Sequence, residues 1–162
     1  MLIEALDLSS KAVATTLLAV HRAAYLHEAA LLGRQDFPPL QVGLEVLQAT
    51  AWQYRGAWQG ARLLGALAIE PDPDGGWCIA SLVVDPGCHR QGVARALMQS
   101  LLADCPRQTL HVQTALANQP ALSLYQDFGF VEVRRWCVGE PPLSLVRLIR
   151  RHPASGDSHL LV

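Results

Sequence analysis

Charge is scarce in this chain and nearly balanced. Asp, Glu, Lys and Arg make up 17% of the residues and the formal net charge is -1, so no overall positive field draws in phosphate polymers. The pairs Arg134-Arg135 and Arg150-Arg151 are too short for a basic tract, and nucleic acid is not an expected partner. Long apolar runs are missing too. Although 51% of the residues are hydrophobic, no stretch reaches the roughly 18 that cross a bilayer, so no membrane partner is expected. The amino terminus carries Glu4 and Asp7 where an export signal would be positive, which makes a cytoplasmic address the expectation. Cys78, Cys88, Cys105 and Cys137 show no C-x-x-C spacing; this excludes a zinc or disulfide framework and predicts reduced, mostly buried thiols. His21 and His27 stand six apart and do not share a helical face as an H-E-x-x-H pair does, so no metal is expected.

What is present is one continuous pattern without repeats or low-complexity segments. With 162 residues and no composition break, the chain predicts a single domain over 1–150 and a mobile polar tail over 151–162. Ser9 is a candidate N-cap for an Ala- and Leu-rich helix to Leu32, with Gly33 as its left-handed cap. Gly33 to Gly43, containing Asp36-Phe37-Pro38-Pro39, predicts a loop, and Leu44 to Ala51 a short helix. Trp52 to Trp58 and Leu63 to Ile69 predict a hairpin around Gln59-Gly60-Ala61-Arg62. After the turn-rich stretch 71–76, Trp77 to Val84 predicts a central strand. Val93, Leu97 and Leu101 at spacing four predict a helix closed by Pro106, followed by a strand over Thr109 to Thr114. Pro120 to Phe128 predicts a helix capped by Gly129, then a strand over Phe130 to Trp136. Pro141-Pro142 predicts extended backbone before a last strand, Leu143 to Ile149, paired with its predecessor. The order predicts a mixed α/β layer architecture.

Chemistry concentrates at the junction Leu82-Val83-Val84-Asp85-Pro86-Gly87-Cys88-His89-Arg90-Gln91-Gly92-Val93-Ala94-Arg95. A strand there runs through a glycine loop into a helix, whose first amides lack intrahelical partners and whose dipole adds positive potential. Such a junction suits phosphate. Gly92 and Ala94 permit close approach of the main chain, and Arg90 and Arg95 add charge. A P-loop would need Lys and Ser or Thr where Val93-Ala94 stand, and no G-x-G-x-x-G occurs anywhere.

The segment His89-Arg90-Gln91-Gly92-Val93-Ala94 resembles the cofactor loop Arg/Gln-x-x-Gly-x-Gly/Ala of the GNAT superfamily, with His89 in place of Arg or Gln. A second stretch, Asn118-Gln119-Pro120-Ala121-Leu122-Ser123-Leu124-Tyr125-Gln126-Asp127-Phe128-Gly129-Phe130, is similar to that family's N-x-x-A-x-x-L-Y-x-x-x-G-F. Together they cover about a third of the chain. The resemblance implies the GNAT acyl-CoA N-acyltransferase fold. Its central mixed, mostly antiparallel sheet is flanked by helices, with parallel strands near 82–84 and 110–114 that splay apart.

It further implies acetyl-coenzyme A as co-substrate, an amine acceptor, small molecule or peptide, and a second copy of the chain as an optional partner. Main chain of Leu82, Val83 and Val84 would hold the pantetheine arm and polarise the thioester, with His89, Arg90, Gln91, Gly92, Val93, Ala94 and Arg95 at the phosphates. Tyr125 would be the general acid, since a phenol near about 10 can protonate a thiolate near about 8.5; Asn118 would touch the cofactor or cap its helix. No acid lies on Trp77 to Val84, which leaves Glu70, His111, Glu28 or water as the route for the amine proton. A ping-pong path through Cys78 or Cys88 lacks an evident base. The acceptor pocket is expected from Tyr25 to Leu47 and Val138 to Pro142, with Trp52, Tyr54, Trp58 and Trp136 as core or pocket wall. The rival expectation is a non-catalytic module that holds acetyl-coenzyme A as a regulatory ligand.

Overall fold

The computed structural model describes residues 1–35 and 42–152. The helix α1, Lys11–Leu31, buries Ala14, Leu17, Leu18 and His21, the three- and four-residue spacing of a single face. Its cap is Ser10, whose side chain accepts from the Val13 N–H at 3.4 Å. The expected cap, Ser9, instead donates its N–H to Asp7 Oδ1 at 3.0 Å, one residue too early to face the first turn. At the other end Gly33 has φ +66. There the N–H groups of Gly33 and Arg34 bond Ala30 and Ala29 carbonyls at 3.2 and 2.8 Å, which closes the helix in a Schellman motif. The short α2, Leu44–Ala49, stops two residues before its predicted end. The expected Asp36 to Pro39 loop lies outside the described residues, as does the tail beyond His152.

Seven strands form one sheet in the order β1-β2-β3-β4-β5-β7-β6. They are β1 Leu2–Ala5, β2 Gln53–Gln59, β3 Arg62–Pro71, β4 Trp77–Val84, β5 Leu110–Ala115, β6 Val131–Val138 and β7 Leu143–Arg150. Sequence pattern did not anticipate β1, a four-residue strand with three exposed positions that exists through pairing with Arg55 to Trp58 of β2. The β2–β3 hairpin turns at Gly60-Ala61, with Gly60 at φ +58. β4 is central and runs parallel to β5, in the register Trp77↔Leu110, Cys78↔His111, Ile79↔Val112. β7 pairs antiparallel with both β5 and β6. Gly139 to Pro142 is a turn between β6 and β7, so Pro141-Pro142 closes a hairpin and does not continue an extended run.

Two compact units make up the chain. The first comprises Met1–Glu70 and Ala80–Ser100. Its core gathers Leu17, Leu18 and Val20 of α1, Leu47 of α2, Tyr54, Leu63, Ala66 and Ala68 of the hairpin, and Val83 of β4. The second comprises Pro71–Ile79 and the chain from Leu101, with Leu110, Val112, Val146 and Leu148 almost fully buried. The helix α3, Val93–Asp104, buries Val93, Leu97, Met98 and Leu101 as its spacing predicts. α4, Gln119–Asp127, buries Leu122 and Tyr125. None of the four cysteines is in a disulfide; Cys88 and Cys105 are buried, Cys78 is half-buried and Cys137 is exposed on β6.

Candidate active site

β4 ends in a turn that its own residues lock. Asp85 N–H bonds the Leu64 carbonyl at 2.8 Å, and its carboxylate accepts the Gly87 N–H at 2.9 Å and pairs with Arg62 at 3.3 Å. A single 3-10 turn, Pro86–Cys88, follows. Arg90 and Gly92 then take φ +64 and +78, which places Gln91 between two left-handed residues. Gly92 is therefore needed for its dihedral; a Cβ there would meet nothing within 4 Å. The Ala96 N–H bonds the Gly92 carbonyl at 2.9 Å, so the amides of Val93 and Ala94 lie in the turn that a helix leaves without carbonyl partners. His89, Arg90, Gln91 and Arg95 are exposed around this point. Left-handed backbone, open space at Gly92, first-turn amides and two guanidinium groups fit a diphosphate. His89 packs edge-on against His27 of α1, ring centroids 5.0 Å apart, which gives the unexpected imidazole a neighbour that sequence did not suggest.

The second motif resolves into caps. Asn118 Oδ1 accepts the Ala121 N–H at 3.3 Å and Pro120 occupies the first turn, so Asn118 caps α4. Gly129, at φ +87, and Phe130 donate to the carbonyls of Gln126 and Tyr125 at 3.0 Å each, a second Schellman closure. Its usual apolar contact is the Tyr125–Phe130 ring pair, centroids 5.5 Å apart. Tyr125 is 5% exposed. Asn118, Tyr125, Gly129 and Phe130 thus fix the ends of one helix in the second unit, while Leu82 to Arg95 belong to the first.

Of the candidate bases, His111 is occupied. Its Nδ1 faces Arg147 Nη2 at 2.8 Å and its Nε2 faces the Gly75 carbonyl at 3.1 Å. Arginine can only donate and a carbonyl only accept, so the ring is the Nε2–H tautomer with both nitrogens in use. Arg147 also bonds the buried Asp72 at 2.8 Å. Burial raises the Asp72 carboxyl, but the Arg147 hydrogen bond, the Asp74 N–H and the Arg147 charge outweigh it and hold it below 3.8. Glu70 accepts the Trp52 indole N–H at 2.6 Å. Glu28 is half-buried on α1.

Sequence reasoning passed over a polar group inside the first unit's core. Tyr25 Oη lies 2.9 Å from Ser81 Oγ of β4, and the His21 ring meets Tyr25 edge-on at 4.5 Å. Tyr54 is buried, and Trp52 and Trp58 pack partly buried against the same core; Trp136 is half-buried on β6 under Arg134. Among the described residues neither nitrogen of His21 nor Trp58 Nε1 has a hydrogen-bond partner, while the Tyr54 hydroxyl is within reach of Ser81. Burial pushes His21 down to about 4 and lifts Tyr54. The available signal was the four-residue spacing of His21 and Tyr25 on the buried face of α1, opposite an alternating β4.

The acetyltransferase (GNAT) family model matches residues 17–130. The chain belongs to that family. The UPF0157 protein YqkA of Bacillus subtilis is 32% identical over 130 residues, which are 80% of this chain and 38% of YqkA. The chain therefore matches well under half the length of that relative. In fold it is similar to the ribosomal-protein-S18-alanine N-acetyltransferase of Escherichia coli, with TM-score 0.71, 17% identity and 93% of each chain covered. It is also similar to an aminoglycoside 6'-N-acetyltransferase complexed with coenzyme A, with TM-score 0.68, 14% identity, and 93% and 96% covered. No helix among the described residues is long and apolar enough to cross a membrane.

Proposed function

We propose that the chain is a cytoplasmic N-acetyltransferase whose residues 1–150 act as one domain, moving the acetyl group of acetyl-coenzyme A to a primary amine by direct attack in a ternary complex. The observation that carries this reading is the β4–loop–α3 junction, where two left-handed residues and the amides of Val93 and Ala94 suit a diphosphate, in a chain of the GNAT family. A relative in fold is named for coenzyme A. When bound, the thioester supplies an activated acetyl carbon and a thiolate leaving group.

The chain's part is to hold and polarise. Main chain of Leu82, Val83 and Val84 pairs with the pantetheine arm as an added strand, and one of its N–H groups donates to the carbonyl oxygen as negative charge develops there. His89, Arg90, Gln91, Gly92, Val93, Ala94 and Arg95 surround the phosphates. Asn118 fixes the start of α4 and Tyr125 gives its hydroxyl proton to the departing sulfur. In balance, the nitrogen lone pair forms the C–N bond, the C–S pair leaves on sulfur, and the surplus amine proton passes through water to restore the Tyr125 hydroxyl. Acceptors of relatives named for ribosomal-protein alanine or an aminoglycoside support an amine as the nucleophile.

Calorimetry with acetyl-coenzyme A, followed by thiol release against a panel of amines and peptides, tests the proposal. Tyr125→Phe is expected to lower kcat about tenfold or more with little change in cofactor Kd. Cofactor binding without release for any acceptor would support a non-catalytic module in its place.

A further inference from the structure

α1 turns His21 and Tyr25 toward the core of the first unit, and β4 meets them with Ser81, which is 5% exposed. The hydroxyls of Tyr25 and Ser81 are 2.9 Å apart, and His21 stands edge-on behind Tyr25. Tyr54 brings a further buried hydroxyl from β2, within reach of the Ser81 hydroxyl, and both His21 nitrogens are buried with no hydrogen-bond partner among the described residues. Each such orphan in an otherwise apolar surrounding opposes folding, and proteins keep few of them. Both nitrogens of one ring are left so here, behind the Tyr25 hydroxyl that meets Ser81, the polar side chain on the buried face of β4 between Ile79 and Val83. Ser81 immediately precedes Leu82 to Val84.

The charge state of this group is as informative as its position. Hydroxyls are neutral, and His21, held near 4, is neutral at pH 7. The titratable groups that act on Tyr25 are His21, Tyr54 and, through its charge, Glu28, half-buried one turn further along α1. An ammonium entering among the neutral His21, Tyr25, Tyr54 and Ser81 would lose its hydration with only the Glu28 charge to offset that loss. A free amine loses far less, and it can donate an N–H to a hydroxyl oxygen while keeping its lone pair for attack.

We propose that the Tyr25–Ser81 hydroxyl pair, backed by His21 and Tyr54, is the subsite for the acceptor nitrogen, and that it admits the free amine, so that a peptide α-amine is favoured over a lysine ε-amine. This rests on the acetyl-transfer reading and narrows its acceptor. At pH 7 an α-amine with a reference value near about 8 is roughly one-tenth neutral, and a lysine near about 10.4 roughly one part in 2,500. The neutral-amine filter alone therefore separates the two by roughly 200-fold.

The test uses the full chain, acetyl-coenzyme A, and two peptide pools: one with each residue at a free amino terminus, one blocked there and carrying a single lysine. The free-terminus pool is expected to release thiol at least about fiftyfold faster per unit concentration at pH 7. Tyr25→Phe and Ser81→Ala are expected to lower acceptor kcat/KM about tenfold while the acetyl-coenzyme A Kd holds, and Ser81→Thr, which keeps a hydroxyl, to recover most of the loss. Cofactor Kd and the thermal midpoint of each variant separate this effect from misfolding. Faster use of the lysine pool or of spermidine overturns the inference alone, as does Tyr25→Phe or Ser81→Ala turning over peptide within twofold of the parent. A strong loss in Glu28→Gln confined to lysine or spermidine would likewise assign the subsite to an ammonium. Absence of acetyl-coenzyme A binding, or binding with no release for any acceptor, overturns the transfer reading and this inference with it.

Discussion

Gly65 is held to a hydrogen side chain by its neighbours. A Cβ there would lie 2.7 Å from the Val83 carbonyl oxygen and 2.9 Å from Val93 Cγ1, the strand and helix that flank the Gly92 loop. Gly65→Ala is expected to destabilise the fold by about 1–3 kcal/mol, and to weaken acetyl-coenzyme A binding because β4 must shift; melting and calorimetry read the two effects. His21 carries a pH signature. Its folded value of about 4 lies below the ordinary 6.5 because burial disfavours the charged ring. Below pH 6.5 the unfolded chain binds a proton that the fold refuses, so the stability His21 contributes is full above 6.5 and is lost as pH falls toward 4. His21→Leu should flatten the thermal midpoint across that window; a slope unchanged from the parent would assign it to another group. The lowered carboxyls of Asp7, Asp72 and Glu132 act below it, under their ordinary 3.8 to 4.5.

At the scale of elements, the β3–β4 connection is tied down by side chains of β5 and β7. Asp72 and Gly75 in that turn are gripped by Arg147 and His111 at 2.8 and 3.1 Å, and Gly76 receives the Asp72 N–H at 3.0 Å. Removing Arg147 leaves a buried carboxylate without its strongest partner. Arg147→Met is expected to lower unfolding free energy by about 3 kcal/mol in urea titration, with part restored in the double variant Asp72→Leu, Arg147→Met. Both ring nitrogens of His111 are spent in this network, so His111→Gln should alter stability and leave the pH profile of turnover in place. Helix ends follow a different logic, because Ser10, Gly33, Asn118 and Gly129 satisfy backbone groups within five residues of themselves. Such closures were legible in sequence to within a residue.

For the whole molecule, binding and folding are linked: a ligand that recognises only the folded chain stabilises it by about 2.7 kcal/mol at a hundred times its Kd. Acetyl-coenzyme A is therefore expected to raise the thermal midpoint progressively with concentration, and a midpoint indifferent to millimolar cofactor would count against the proposed site. The amino-acid sequence by itself determined the helices, their caps, the β2–β3 turn, the central strand and the glycine loop after it, because each depends on contacts a few residues apart. Tertiary structure alone decided that β7 lies between β5 and β6, and that Leu2 to Ala5 becomes a strand. It also decided that His111 is occupied by Arg147, and that Tyr25 meets Ser81 across 56 residues of chain. Those outcomes follow from how distant segments share one core, and no local periodicity encodes which partner a buried polar group will find.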